Sequence, residues 1–378
     1  MTDDTMTETL SMLADAAAGF ARPDGARVRA LRGKVPPFDR GVWANMAEQG
    51  WLSILVPEAR GGLGLGLAAV NVIAERLGYA GFPEPFVASG VMVPHLLSAS
   101  RNDALITRVL PGVLDGATVA VVAWQGETGS LTIGNTGVTT TAAGDDIVLS
   151  GTSRFVPVPA ADAFIVLAKA AGGLALFWVE REQTGVSCAT EPLADGSHSG
   201  LLRLANVRVS KSAMVSGPDT AEDDLTYALD ASLIASSAEL VGLMDRALEM
   251  TLDYLKTRQQ FGQAIGSFQA LQHRAVDLFV QKELSRAAVR SEAISYDDPA
   301  TTKTARMAAA SSAKSRCCDA ALLITKEAIQ MHGAIGTTDD YDLGLYVNRA
   351  LVLTSWLGNA AFHRRRFAEL TRAKEHKS

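Results

Sequence analysis

Apolar residues recur every three to four positions from Phe38 to about Leu110, as at Trp43, Met46 and Ala47, with one break at the glycine-rich stretch GGLGLG from Gly61 to Gly66. This spacing predicts an N-terminal helical unit over residues 1–116. Between about Ala117 and Val209 the period shortens to β-rich runs, TVAVVAW, DIVLSG, AFIVLA, LALFWVE and LLRLANVRV, separated by turn signals such as AAGDD and AAGGL. A compact middle β unit over 117–212 follows. From Asp224 helical spacing returns, with Leu240, Leu243, Met244, Ala247, Leu248, Thr251, Leu252 and Leu255 on one stripe and no proline between Pro218 and Pro299. Turns are expected at Gly262–Gly266, at Asp297–Pro299 and at Gly333–Gly336, which makes 213–378 a C-terminal four-helix bundle. The fold class is α+β multidomain.

Composition narrows the partners. A chain of 378 residues that is 48% hydrophobic can bury a sizeable core in two or three structural units. Its net charge is −6, and its only run of cations is Arg364 to Arg366, so a nucleic-acid surface has no electrostatic support. The N-terminal MTDDTMTETL is acidic and lacks an apolar core, and no segment approaches ~20 uninterrupted apolar residues. A cytoplasmic protein with no membrane partner is the expectation. The three cysteines, two of them adjacent at Cys317 and Cys318, suit neither a disulfide framework nor a zinc site and read as buried structural thiols; no metal ligands are assigned.

Two segments carry chemistry. RQQFGQAIGSFQ, from Arg258 to Gln269, lies between two helical patterns, and QMHGAIG runs from Gln330 to Gly336. The first resembles the RxxFGxxIxxFQ segment of acyl-CoA dehydrogenases, and the second follows at that family's spacing. WLSILVPEARGGLGLGL, from Trp51 to Leu67, resembles a third family segment, and the likeness covers Phe38 to Leu370. It implies an acyl-CoA dehydrogenase-like fold and a flavin, FAD, shared between subunits, with the tail of one chain's cofactor reached by its neighbour. On that carry-over Arg258 offers a fork of donors to the pyrophosphate, Phe261 an apolar face and Gly262 room for backbone to pass close by. Gln269, Gln330 and Gly333 would complete the tail site.

What the resemblance does not find is the catalytic base. Desaturating an acyl thioester removes a proton beside the carbonyl, and a positioned base contributes about 10²–10⁴-fold. Most members hold a glutamate about twenty residues beyond the glycine turn, where this chain reads Trp356, Leu357, Gly358 and Asn359. A second branch places it about twenty-six residues before the arginine, where this chain has Ser232. Glu239 lies about 10 Å further along the helix at ~1.5 Å per residue, and Asp230 faces another direction. Asp339, Asp340 and Asp342 read as solvated loop acids. No catalytic residue is assigned.

The ring-binding segments differ as well. WQGETGS, from Trp124 to Ser130, replaces a TEPGAGSD-like loop, although Thr128 and Ser130 keep hydroxyls, and FVPV, from Phe155 to Val158, replaces a WITN-like strand, with Pro157 removing a backbone donor. The chain resembles the silent partners of heterotetrameric enzymes that desaturate CoA thioesters of steroid side chains. That implies an acyl-CoA substrate and a homologous catalytic subunit. Two alternatives stay open: a homotetrameric flavoenzyme with an unconventional base, and a binding or structural protein without flavin.

Overall fold

The computed structural model describes residues 3–375. Residues 1–2 and 376–378, which the first and last expected segments include, lie outside the described residues. In chain order the helices α1 (Asp3–Phe20), α2 (Gly25–Leu31), α3 (Arg40–Glu48), α4 (Gly66–Ala80), α5 (Met92–Ala99) and α6 (Asp103–Leu114) come first. The strands β1 (Ala120–Ala123), β2 (Gly137–Ala143), β3 (Asp146–Pro157), β4 (Ala163–Ala170), β5 (Gly173–Glu180), β6 (Val186–Pro192), β7 (His198–Ser210) and β8 (Met214–Ser216) follow. Then come α7 (Ala221–Thr257), the short strands β9 (Gln259–Gln260) and β10 (Gln263–Ala264), and α8 (Gln269–Asp297), α9 (Lys303–His332), α10 (Leu343–Ser355) and α11 (Ala360–Glu375). The helical, β, helical order is the expected one.

The chain divides into two compact units. One comprises Leu31–Gly66 and Pro83–Ser232 and contains the sheet, ordered β6-β7-β3-β2-β4-β5-β8, with β1 pairing parallel to β4. Each of the five β-rich runs seen in sequence contributes a strand. β4 is buried from Ala163 to Ala168, so both of its faces are covered, as its unbroken apolar run implies. The sequence pattern does not mark β2 and β6, whose residues are mostly exposed and carry no alternating apolar signal. Cys188 on β6 is only half-buried, unlike Cys317 and Cys318 inside α9.

The other unit takes in the chain up to Ala30, Leu67–Phe82 and everything from Leu233. The apolar stripe on α7 is buried there, with Leu252 alone partly exposed. α7 is long and apolar enough to span a membrane, and its most apolar stretch is almost wholly buried, as in the core helix of a folded protein. α4 crosses it backbone to backbone. A Cβ on Gly242 would fall 1.7 Å from the Glu75 carbonyl oxygen, and one on Gly78 would fall 2.0 Å from that of Glu239. Only glycine permits such an approach at both points. Around the crossing, Arg286 of α8 binds Glu75 of α4 at 2.9 Å and Asp245 of α7 at 3.0 Å, while Lys282 reaches Asp245 at 2.6 Å. Asp297, at the end of α8, accepts from the amides of Leu67 at 2.7 Å and Ala68 at 3.3 Å. The glycines of GGLGLG therefore lead into a helix start whose free amides are already capped, and they serve the fold as a turn.

Candidate functional site

Arg258 ends α7, its N–H donating to the Tyr254 carbonyl at 2.8 Å and its own carbonyl accepting from Ile265 at 2.8 Å. Those two bonds pin the base of a hairpin formed by β9 and β10, which the sequence had marked simply as a turn. Its tip is Phe261-Gly262, with φ of +53° and +80°. Two successive left-handed residues are what a two-residue hairpin turn of the I′ type needs, and Gly262 adopts one freely. Phe261 does not: the left-handed region costs an L-residue about 1–2 kcal/mol. Its ring is 90% exposed, resting edge-on against Phe268 with centroids 6.1 Å apart. Neither burial nor backbone preference accounts for a phenylalanine here, and a strained residue held on display is a functional signal. The Arg258 side chain is exposed beside it and joins no ion pair among the described residues.

The second expected segment lies at the end of α9. Gln330 is exposed in the last turn, and Gly333 leaves the helix at φ +65° with no atom within 4 Å of where a Cβ would sit. Gly262 is equally open. Exposed polar side chains, a free guanidinium and two open glycine backbones fit a dinucleotide tail. Gln269 begins α8 and is exposed too. The α7 end and the α9 end meet through His332, a residue of QMHGAIG to which the sequence alone assigns no role. His332, one residue before Gly333, stacks at 4.5 Å on Tyr254, which lies four residues before Arg258, and is 5.0 Å from the Tyr341 ring. Its place inside QMHGAIG was the only signal available in sequence.

Neither expected base position holds a carboxylate. Ser232 is fully buried, and its hydroxyl donates to the Ala228 carbonyl at 2.7 Å within its own helix. Leu357 is buried with φ +60°, its carbonyl accepting from His363 Nε2 at 2.9 Å. Asn359 caps α11 by accepting from the Phe362 amide at 2.9 Å. Three of the nearby acids are in ion pairs. Glu239 pairs with Arg349 at 2.6 Å, Asp342 with Arg29 at 2.6 Å and Asp339 with Arg29 at 3.8 Å, so these two loop acids are paired as well as solvated. Asp230 is 2% exposed on α7.

In the sheet-containing unit the two altered ring-side segments touch each other. Ser153 Oγ donates to the Gln125 carbonyl at 2.8 Å, the Arg154 amide donates to the same carbonyl at 3.0 Å, and Gln125 Nε2 donates to Gly129 O at 3.1 Å. Phe155, at φ +58° in an irregularity of the β3–β7 ladder, lays its ring on Gly129, where a Cβ would fall 2.5 Å from Cε2. Ser130 Oγ accepts from Asn135 at 2.9 Å, and Thr128 is exposed. The Phe155 ring thus covers Gly129 while itself staying partly exposed.

Comparison with known proteins finds relatives along most of the chain. Residues 7–117 match the family described as acyl-CoA dehydrogenase, N-terminal domain, and residues 224–370 match acyl-CoA dehydrogenase, C-terminal domain. The chain is 29% identical over 327 residues to acyl-CoA dehydrogenase IpdE2 of Mycobacterium tuberculosis, covering 86% of this chain and 85% of that one. Among solved structures, a variant of the Tcur3481-Tcur3483 steroid ACAD superposes with a TM-score of 0.87 at 29% identity, covering 99% of this chain and 100% of the other. The ChsE4-ChsE5 complex from Mycobacterium tuberculosis gives 0.84 at 25% identity, covering 98% and 97%.

Proposed function

Because the chain belongs to the acyl-CoA dehydrogenase family of oxidoreductases, whose cofactor is FAD, we propose that it is the non-catalytic partner in a heteromeric member of that family. It lends the Arg258 hairpin and the Gln330–Gly333 turn to a flavin whose ring and base lie on a homologous subunit. The reading rests above all on Leu357, a buried aliphatic residue with its carbonyl held by His363 where a carboxylate is expected. Ser232, its hydroxyl committed to Ala228, offers no substitute.

When bound, FAD would supply the acceptor for the hydride that leaves the β-carbon of the acyl group, the carbon beyond the one that gives up the proton. This chain's part is grip and placement. Arg258 neutralises pyrophosphate charge, Phe261 covers an apolar part of the tail, and the glycines at 262 and 333 let backbone approach. Gln269 and Gln330 supply side-chain amides. The proton is taken by the partner. An exposed apolar stripe on α8, made by Val276, Phe279, Val280 and Leu284, supports assembly with another chain. The relatives named for a steroid ACAD and for a two-component complex favour a steroid-derived acyl-CoA and a homologous partner.

Asp230 favours one competing reading, a self-sufficient enzyme, since it is a buried carboxylate two residues from the Ser232 position. Expression separates the two. Alone, a silent partner purifies flavin-poor and inactive; co-expressed with a related, glutamate-bearing chain, it gives a yellow complex that reduces its flavin with an acyl-CoA. Turnover by this chain unaided sinks the proposal.

A further inference from the structure

Resting on that reading, we propose that His332 is a positioning residue that clamps the Arg258 end of α7 and the Gly333 turn of α9 into one surface for the dinucleotide tail. The imidazole is 3% exposed and touches three segments at once. On its own helix, Nδ1 lies 2.8 Å from the Ala328 carbonyl, which can only accept, so Nδ1 carries the hydrogen. Nε2 is then an acceptor, and the Tyr341 hydroxyl 3.2 Å away donates to it. Against α7 the ring stacks on Tyr254 at an interplanar angle of 25°.

Each contact fixes something the tail site needs. Tyr254 is the residue whose carbonyl receives the Arg258 N–H, so the stack sets the last turn from which the guanidinium projects. His332 immediately precedes Gly333, whose φ of +65° and ψ of −142° take the chain sharply out of the helix. Tyr341 holds the loop after that turn. A leucine or methionine would fill the volume and join none of these polar groups. A histidine fits because one ring supplies a donor, an acceptor and a flat face at fixed angles.

The test uses the assembled complex, stripped of flavin and titrated with FAD, with the melting temperature of the stripped complex followed in parallel. His332→Phe keeps the stack and loses both ring nitrogens, and Tyr341→Phe removes only the hydroxyl of a half-buried loop residue. Each is expected to weaken FAD binding about tenfold. Tyr341→Phe should leave the stripped complex's melting temperature unchanged, and the double variant should bind no worse than His332→Phe alone. Additive losses, or a loss of affinity that follows the melting temperature across both variants, overturn the clamp. Unchanged affinity in both, alongside a clear loss in Arg258→Ala, overturns it while leaving the function intact; unchanged affinity in all three removes both.

Discussion

Acid should weaken this protein through a histidine, and His363 allows the size to be worked out. The residue is 1% exposed on α11, donating from Nε2 to the Leu357 carbonyl at 2.9 Å, with Nδ1 3.3 Å from the Ser311 hydroxyl. That hydroxyl accepts from Arg366 at 3.0 Å and so turns its hydrogen toward Nδ1. Burial, aided by the positive charges of Lys314 and Arg366, pushes the His363 pKa down to about 3. A pKa below the unfolded value means that the unfolded chain gains a proton on acidification while the folded chain does not. The stabilisation is therefore complete above about pH 6.5 and is lost as pH falls toward 3. Between pH 7.5 and pH 5 the loss is about 1.5 units at 1.36 kcal/mol each, or ~2 kcal/mol. His363→Gln cannot take up that proton in either state. The variant should melt below the wild type at pH 7.5, for want of the Leu357 bond, and the gap should close by ~2 kcal/mol at pH 5. For a unit of this size that is roughly 4–8 °C. Thermal unfolding of both proteins at the two pH values, followed by tryptophan fluorescence, reads the gap. A gap that stays constant refutes the reasoning, since it would mean that the folded protein accepts the proton too.

His95 should behave alike in the sheet-containing unit, its pKa pushed down to about 4 by burial, so His95→Gln should flatten a second, independent part of the acid profile; additive pH slopes in the double variant check this. Gly242→Ala forces α4 and α7 apart, because its Cβ would lie 1.7 Å from Glu75 O where ordinary contact is ~3.5 Å, and a cost of about 3 kcal/mol or more should appear as poor yield or a lower melting temperature despite alanine's better helix propensity. Arg258→Ala in the reconstituted complex should lower FAD per mass of protein, measured by absorbance, and unchanged occupancy would show that the guanidinium does not reach the cofactor. Ser232→Glu or Leu357→Glu, expressed without a partner, should give no turnover, because both ring-side segments are altered and the Phe155 ring lies on Gly129; activity from either alone would contradict the split site.

The sequence by itself determined the order of helical and β segments, the buried stripe of α7, five of the strands and the two segments proposed to hold a cofactor tail. Those features are written locally, in the spacing of apolar residues and in short runs whose side chains act where they stand. It also determined that position 357 offers no base, since an aliphatic residue cannot ionise in any fold. Only the tertiary structure decided the rest. β2 and β6 form because neighbouring strands accept their backbone, a property without an apolar pattern of its own. Phe155 closing on Gly129, the glycines at 78 and 242 meeting opposing carbonyls, and His332 between Tyr254 and Tyr341 all join residues far apart in the chain. Such contacts depend on the distance between two backbones in space, and no periodicity along one of them encodes it.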